Sequence, residues 1–257
     1  MQGGVAMINR ANSDISEKAN IHESVVIGSF CVIGKGVEIG SGTVIGHNVV
    51  IHADSVIGAN VRIDDNTVIG KSPMRAANSA VTKDVELEGS SIGDNCIIGT
   101  STVIYRGCKL GEKVLVADLA TIRENVTVGD MTIVGRNVAI ENFCKIGERC
   151  KLETNVYVTA YSEIEDSCFL APGVVTSNDN YLGRTEKRFS EYGGAFIKEG
   201  ARIGVGAIVL PGRTVAKDSL IAAGAILTKD TQEKKIYAGV PAKEFRDVPE
   251  EELLENQ

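Results

Sequence analysis

From Ile21 onward an aliphatic residue returns at every sixth position: Ile21, Ile27, Ile33, Ile39, Ile45, Ile51, Ile57, Ile63 and Ile69. The phase then slips and resumes at Ile92, running through Ile98, Ile104, Leu110, Val116, Ile122, Val128, Val134, Ile140, Ile146, Leu152, Val158 and Ile164 to Leu170. It slips again and returns at Ile197, Ile203, Val209, Val215, Ile221 and Leu227, which makes 29 hexads in register. Counting the aliphatic slot as position one, position two is usually Gly, as at Gly28, Gly34, Gly40, Gly46, Gly58 and Gly70. Position four is Gly, Asn or Asp, the residues that tolerate a left-handed backbone at a corner. Position five is small or β-branched. A short strand, a tight corner and another short strand form each unit, and three hexads close one triangular turn. Stacked turns make a parallel β-solenoid, since a repeat with one apolar side buries it only against its neighbours. The fold class is therefore all-β. The coil is expected over residues 21–232, with an N-terminal extension at 1–20, insertions at about 75–91 and 177–196, and a tail at 233–257. Pro249 opens a short terminal helix in that tail.

Composition changes this picture little. The chain has 257 residues, 28 glycines, no tryptophan and 5% aromatics, so its core is built from small and β-branched side chains. No apolar run approaches the roughly 20 residues of a membrane helix, and the N-terminus lacks an apolar signal core. No membrane contact and a cytoplasmic location are expected. A net charge of −7 speaks against nucleic acid as a partner, because phosphate backbones are bound by clustered Lys and Arg.

Cys31, Cys96, Cys108, Cys144, Cys150 and Cys168 all occupy position five. Six of six in one inward slot is a packing pattern, without the convergent spacing of a metal site. Cys150 and Cys168 are three hexads apart and should stack on adjacent turns as free thiols.

The second interruption, TSNDNYLGRTEKRFSEYGG at 176–194, is polar and aromatic where the coil is plain. A solenoid face is smooth, and a projecting loop supplies the concavity a ligand needs. Asn178 and Asp179 offer an amide and a carboxylate as the loop leaves. Tyr181 and Tyr192 offer stacking faces. Arg184, Lys187 and Arg188 suit phosphate oxygens. Stepping back one turn of three hexads at a time, Ala160, Asn142 and Glu124 lie beneath Asn178, and Tyr161, Phe143 and Asn125 beneath Asp179. Position four becomes aromatic twice running in this column, at Phe143 and Tyr161, as a ligand cleft or a subunit contact would require. The same ruler puts His52 about six turns from Asn178, or roughly 29 Å at the spacing of paired strands. His22, His47 and His52 all precede the first interruption, so no histidine can serve as a base at the loop.

The hexad resembles that of the left-handed parallel β-helix acyltransferases, over residues 21–239. The segment APGVVTSNDNYLGR is similar to that of the sugar-nucleotide N-acyltransferases within that family. The resemblance implies an acyl-CoA-dependent N-acyltransferase, with acetyl-CoA or another acyl-CoA as co-substrate and no metal. The acceptor is the amino group of a dTDP- or UDP-linked amino-dideoxysugar of bacterial surface glycans, and the assembly a homotrimer. In such relatives the amine attacks the thioester directly and the leaving sulfur takes the proton. Carried over, Asn178 and Asp179 hold the amine, with Asp179 as anchor or proton acceptor. Asn142, Phe143, Tyr161, Tyr181 and Arg184 line the acceptor site. Some relatives carry an acidic residue one turn below, where this chain has Ala160. The AGVPAK segment is similar to the family's coenzyme A region, which implies Gly204, Ala222 and Ala223 along the pantetheine arm and Lys229, Lys243 and Arg246 near its phosphates.

Other readings carry distinct requirements. O-acylation of a sugar or serine hydroxyl needs a stronger base than the loop offers. A carbonic-anhydrase-like hydratase needs three convergent histidines, and the spacing of His22 and His52, which is no whole number of turns, puts them on different faces. A scaffold solenoid needs neither the loop nor the AGVPAK segment.

Overall fold

The computed structural model describes residues 12–74, 86–191 and 193–257, and not the side chain of Phe189. Most of the first insertion, residues 75–85, lies outside them, as do the first eleven residues and Tyr192.

Most aliphatic slots become the second residue of a two-residue strand, with the side chain buried and its predecessor facing outward, as in Val32–Ile33 and Lys151–Leu152. Burying each such Ile or Leu stabilises the coil by about 1.5–3 kcal/mol. Position four turns the corner in the left-handed region, at Asn48, Asn60, Asn95 and Asn137 among others. Its side chains stack between turns, as where Asn137 Nδ2 donates to Asn155 Oδ1 at 2.8 Å.

The described strands form three sheets of 11, 10 and 12 strands, parallel throughout except for the last strand of the third. We call these faces A, B and C. They begin at Asp14–Ile15, Asn20–Ile21 and Val26–Ile27 respectively. Every partner in register lies one turn away, for example Thr121↔Ala139 and Ala139↔Tyr157 on face A. The corners are named AB, BC and CA after the faces they join.

The structure adjusts the expected count and boundaries at three places. The coil already begins at Asp14–Ile15, paired with Val32–Ile33, so Ile15 fills a slot one hexad earlier than the expected start. Thr176 fills the slot after Leu170, so the hexad count, which stops at Leu170, gains one polar slot residue just before the expected insertion. It is fully buried, and its hydroxyl accepts the Thr159 N–H at 2.7 Å and donates to Tyr157 O at 3.2 Å. A polar slot residue thus replaces a backbone partner just before the excursion. At the far end, Lys235–Ala238 adds to face C and Lys243–Asp247 folds back on it antiparallel. The short terminal helix takes the form of two 3-10 turns, Glu250–Glu252 and Leu254–Asn256. Leu253 interrupts them because it packs into a second small core with Ile236 and Val248.

All six cysteines are buried and free. Burial pushes the Cys108 and Cys144 thiols up to about 12. The Cys168 thiol is also pushed up, first by the neighbouring Cys150 thiol and then by burial, as their one-turn spacing implies.

Candidate functional site

Both insertions leave from the AB corner. The first follows Val68–Lys71 on face A and returns at Ser91–Ile92 on face B. The second follows Val175–Thr176 and returns at Phe196–Ile197. Five pairings on face A separate the two exits, roughly 24 Å along the axis.

The residues between the exits are unlike those elsewhere on the coil. Position two on this corner reads Tyr105, Arg123, Glu141, Thr159 and Ser177, where glycine is the rule. Tyr105 is buried, with Lys71 Nζ 5.2 Å from its ring centroid and Arg123 Cζ 5.1 Å from it. Arg106 ties the returning leg of the first insertion to the corner, donating to Leu87 O at 3.0 Å and Ala53 O at 2.9 Å. Arg123 grips the buried Glu124 with two hydrogen bonds, of 2.8 and 3.0 Å, and reaches Glu141 at 3.3 Å.

Nearer the second insertion, Phe143 and Tyr161 stack in parallel with centroids 5.3 Å apart and planes inclined by 4°. Both sit in the left-handed region, at φ 59° and 63°. Two bulky residues are thus held in a conformation that costs about 1 kcal/mol or more apiece. Stacking offsets part of this cost, about 0.5–1.5 kcal/mol for an aromatic pair. Asn142 lies beside Phe143 and is fully buried.

The loop is organised by Asp179. Its Oδ1 accepts the Tyr181 N–H at 2.8 Å, and its Oδ2 accepts from Gly183 N at 2.9 Å and Arg188 Nε at 3.1 Å. These contacts, that from Gly183 first, hold its carboxyl below the usual carboxylate range. They also stabilise a backbone in which Leu182, Gly183 and Thr185 all take positive φ. Tyr181 donates its hydroxyl to Glu191, which raises the phenol's pKa. A 3-10 turn at Glu186–Phe189 completes the loop, and Gly193 N closes it on Asn178 O at 3.4 Å. The Asn178 side-chain amide, half-buried, makes no hydrogen bond to a described residue. Arg184 and Lys187 point to solvent.

The structure therefore gathers Asn142, Phe143, Tyr161, Asn178, Asp179 and Tyr181 at one place, with Arg184 on its rim. Asp179 and Arg188 are spent on each other and on the loop. Glu141 is absent from the sequence-based selection, although counting turn by turn reveals it: three successive glycine positions on one column carry Tyr, Arg and Glu.

The expected cofactor residues divide. Gly204, Ala222 and Ala223 lie together on the CA corner, and a Cβ on Gly204 would stand 2.5 Å from Ala223 N. Lys243 joins them, because it pairs with Ala238, which continues that column. Arg246 pairs with Ile236, near the opposite end of face C. Lys229 follows Ile226–Leu227 on face A and so lies on the AB corner, above the loop. The histidines are also apart: His22, His47 and His52 follow strands of faces B, C and A. His52 shares the AB corner with the loop, six pairings below Ser177. Among the described residues no three His, Cys, Asp or Glu side chains gather as a metal site. None of the described helices is long and apolar enough to cross a membrane.

Residues 18–53 match the bacterial transferase hexapeptide profile of six repeats, and 121–160 the hexapeptide repeat of succinyl-transferase. Over these stretches the chain carries the repeat of the hexapeptide-repeat transferases. Its coil is a parallel β-solenoid of the left-handed β-helix class. Residues 41–136 of this hexapeptide-repeat chain also match the C-terminal domain described as that of GMPPB. Among curated proteins, one from Schizosaccharomyces pombe named as an acetyltransferase is 44% identical over 55 residues. That match spans 21% of this chain and 27% of the yeast protein. Solved structures of similar shape include a UDP-N-acetylglucosamine acyltransferase of Francisella novicida (23% identity, 93% of this chain and 69% of that one, TM-score 0.40). Another is a maltose O-acetyltransferase of Clostridium difficile (26% identity, 48% and 70%, TM-score 0.42).

Proposed function

We propose that this protein is an acyl-CoA-dependent N-acyltransferase, which transfers an acetyl or similar acyl group to the amino group of a dTDP- or UDP-linked amino-dideoxysugar. The observation that carries this reading is the base of the second insertion. There a free Asn178 amide stands beside a stacked aromatic pair, on a loop made rigid by its own carboxylate, with the nearest histidine on that corner six turns away. A thioester is already activated, so such a site has mainly to orient an amine and stabilise the oxyanion that forms. Asn178 supplies a polar contact, the fully buried Asn142 supports the corner from within, and Phe143 and Tyr161 form an apolar wall for a deoxysugar. Tyr181 and Arg184 meet the nucleotide end. Asp179 acts through the loop it folds, as a positioning residue.

In this reading acyl-CoA lies on the CA corner, where Gly204, Ala222 and Ala223 leave the backbone bare for a pantetheine arm and Lys243 meets a phosphate. A homotrimer brings the CA corner of one subunit toward the AB corner of the next. Lys229, on the loop's own edge, then faces the ligand from the acceptor side, and Arg246 borders it from face C.

The test is thiol release from acetyl-CoA with a panel of TDP- and UDP-linked 3-amino and 4-amino dideoxysugars, alongside Asn178→Ala. Turnover by the wild type and loss in the variant support the reading. Thiol release with a hydroxyl acceptor alone rejects the amine, and coenzyme A that fails to bind rejects acyl transfer altogether.

A further inference from the structure

Three carboxylates stand on the coil turns of the AB corner between the two exits or where the second loop leaves, Glu124, Glu141 and Asp179, and their surroundings differ. Asp179 accepts three hydrogen bonds and is held ionised. Glu124 is 3% exposed, and both its oxygens are taken by Arg123. Glu141 is the remaining one. Its side chain is 26% exposed, and one carboxylate oxygen meets Arg123 Nη1 at 3.3 Å, with the other uncommitted among the described residues.

Its position is as telling as its freedom. Glu141 stands two turns below Ser177, the residue before Asn178, so their Cα atoms are roughly 10 Å apart along the axis. The turn between them presents Thr159 and Ala160. Thr159 stands directly above Glu141 and Ala160 directly beneath Asn178, so the alanine leaves space beneath the Asn178 amide on the column beside the carboxylate. A hexose ring is about half that long, so an acceptor held by Asn178 brings a substituent within reach of Glu141. Tyr157 projects outward from the strand just above, 37% exposed. Its hydroxyl is raised by burial and, next, by the charge of Glu141. The groups facing Glu141 are thus Arg123 and Glu124 from the turn below, Tyr157 from the strand above and the Cys144 thiol of its own turn. Burial, opposed in part by Arg123, moves the Glu141 carboxyl upward from its ordinary value, toward the range of a working general base.

We propose that Glu141 is the catalytic base of this site, accepting the proton of the acceptor's amino group as the amide forms. The proposal rests on the acyl-transfer reading above. The amine nitrogen's lone pair attacks the thioester carbonyl carbon, forming the C–N bond and placing the carbonyl π pair on oxygen. The proton on the resulting ammonium passes to a Glu141 oxygen. Collapse of the oxyanion restores the C=O bond and expels the coenzyme A sulfur. That thiolate takes the proton back from Glu141, leaving amide, thiol and an ionised carboxylate.

The test compares wild type and Glu141→Gln, with acetyl-CoA and the best aminosugar acceptor, across pH. Glutamine keeps the size and a hydrogen-bond acceptor but cannot take the proton. A kcat lower by about 10²-fold or more with KM nearly unchanged is expected, with loss of the acidic limb of the wild-type kcat profile and with coenzyme A binding retained. Glu141→Asp should recover part of the rate. Glu141→Gln with wild-type kcat and pH profile overturns the role of Glu141 and leaves the acyl-transfer reading standing. A wild type that acylates no amine overturns both. Should Glu141→Gln fail to fold, the wild-type profile decides: a flat kcat on the acid side, down to the ordinary carboxylate range, overturns the proposal.

Discussion

The AB and BC corners have the same backbone and opposite surfaces. On the BC corner position two is glycine at Gly40, Gly58, Gly93, Gly111, Gly129 and Gly147. Asp94, Asp130 and Asp166 each accept a backbone N–H from the turn below, at 2.7–2.8 Å. A Cβ on Gly58 would meet Asp94 Oδ1 at 2.3 Å and Asp94 N at 2.8 Å. The Asp cap and the glycine are therefore one device, and it leaves no room for a side chain. On the AB corner the strand hydrogen bonds continue unchanged, Arg123 N to Ile140 O and Glu141 N to Val158 O, both at 2.9 Å. Position three there reads Arg106, Glu124, Asn142, Ala160 and Asn178, with no aspartate to crowd the turn below. Giving up the cap frees the space, and that space holds Tyr105, Arg123, Glu141 and the exits of both insertions. One corner is filled by its own stacking, and the other keeps room for side chains and insertions.

Exchanging features between the corners tests this contrast. The largest effect is expected from Asp179→Ala. Releasing Tyr181, Gly183 and Arg188 should cost on the order of 10²-fold in turnover, the scale of a misplaced site. It should also speed proteolysis within 180–190, while the thermal midpoint, set by the coil, moves little. Unchanged turnover would remove the loop from the site. Next, Gly58→Glu puts an AB-type side chain on the BC corner. Overpacking against backbone should destabilise by about 1–3 kcal/mol, read as a lower denaturant midpoint, and neutrality would dissolve the distinction between corners. Smaller again is Thr176→Val, which restores the aliphatic slot but leaves the Thr159 N–H without its acceptor. A loss of about 1 kcal/mol is expected, and a gain in stability would show that the hydroxyl is incidental.

The smallest effect is a pH dependence. Burial raises the folded pKa of Glu141 above its unfolded value. Across that interval the folded chain binds more protons than the unfolded one, so stability declines as pH rises through it. Glu141→Gln removes this burden. The variant should melt above the wild type at pH 7, and the difference should vanish below the ordinary glutamate value of 4.5. A lower melting temperature at pH 7 would mean that the Arg123 contact outweighs burial.

Much of this molecule is written in its spacing. The six-residue period, the left-handed corner at position four and the inward slot of the six cysteines are local properties, because each unit needs only its own backbone and the turn beside it. The same ruler correctly stacks Phe143 on Tyr161, Cys150 near Cys168 and His52 six turns from the loop. Thr176 escapes it as a slot residue because polarity hides it from an aliphatic count, and Ile15 because nothing regular precedes it. Glu141 is countable yet unremarkable, since a charged residue at a solenoid corner is ordinarily just solvated surface.

What the tertiary structure decided is which groups are free. Asp179 and Glu141 are both carboxylates on one edge, and no pattern of spacing distinguishes them. The irregular fold of residues 177–195 gives Asp179 three donors and holds it ionised, while Glu124 takes up Arg123 and leaves Glu141 partly buried and available. Periodicity fixes where a side chain starts. Its protonation depends on partners that a non-repeating loop and the neighbouring turns bring to it, and those contacts exist only once the chain has folded.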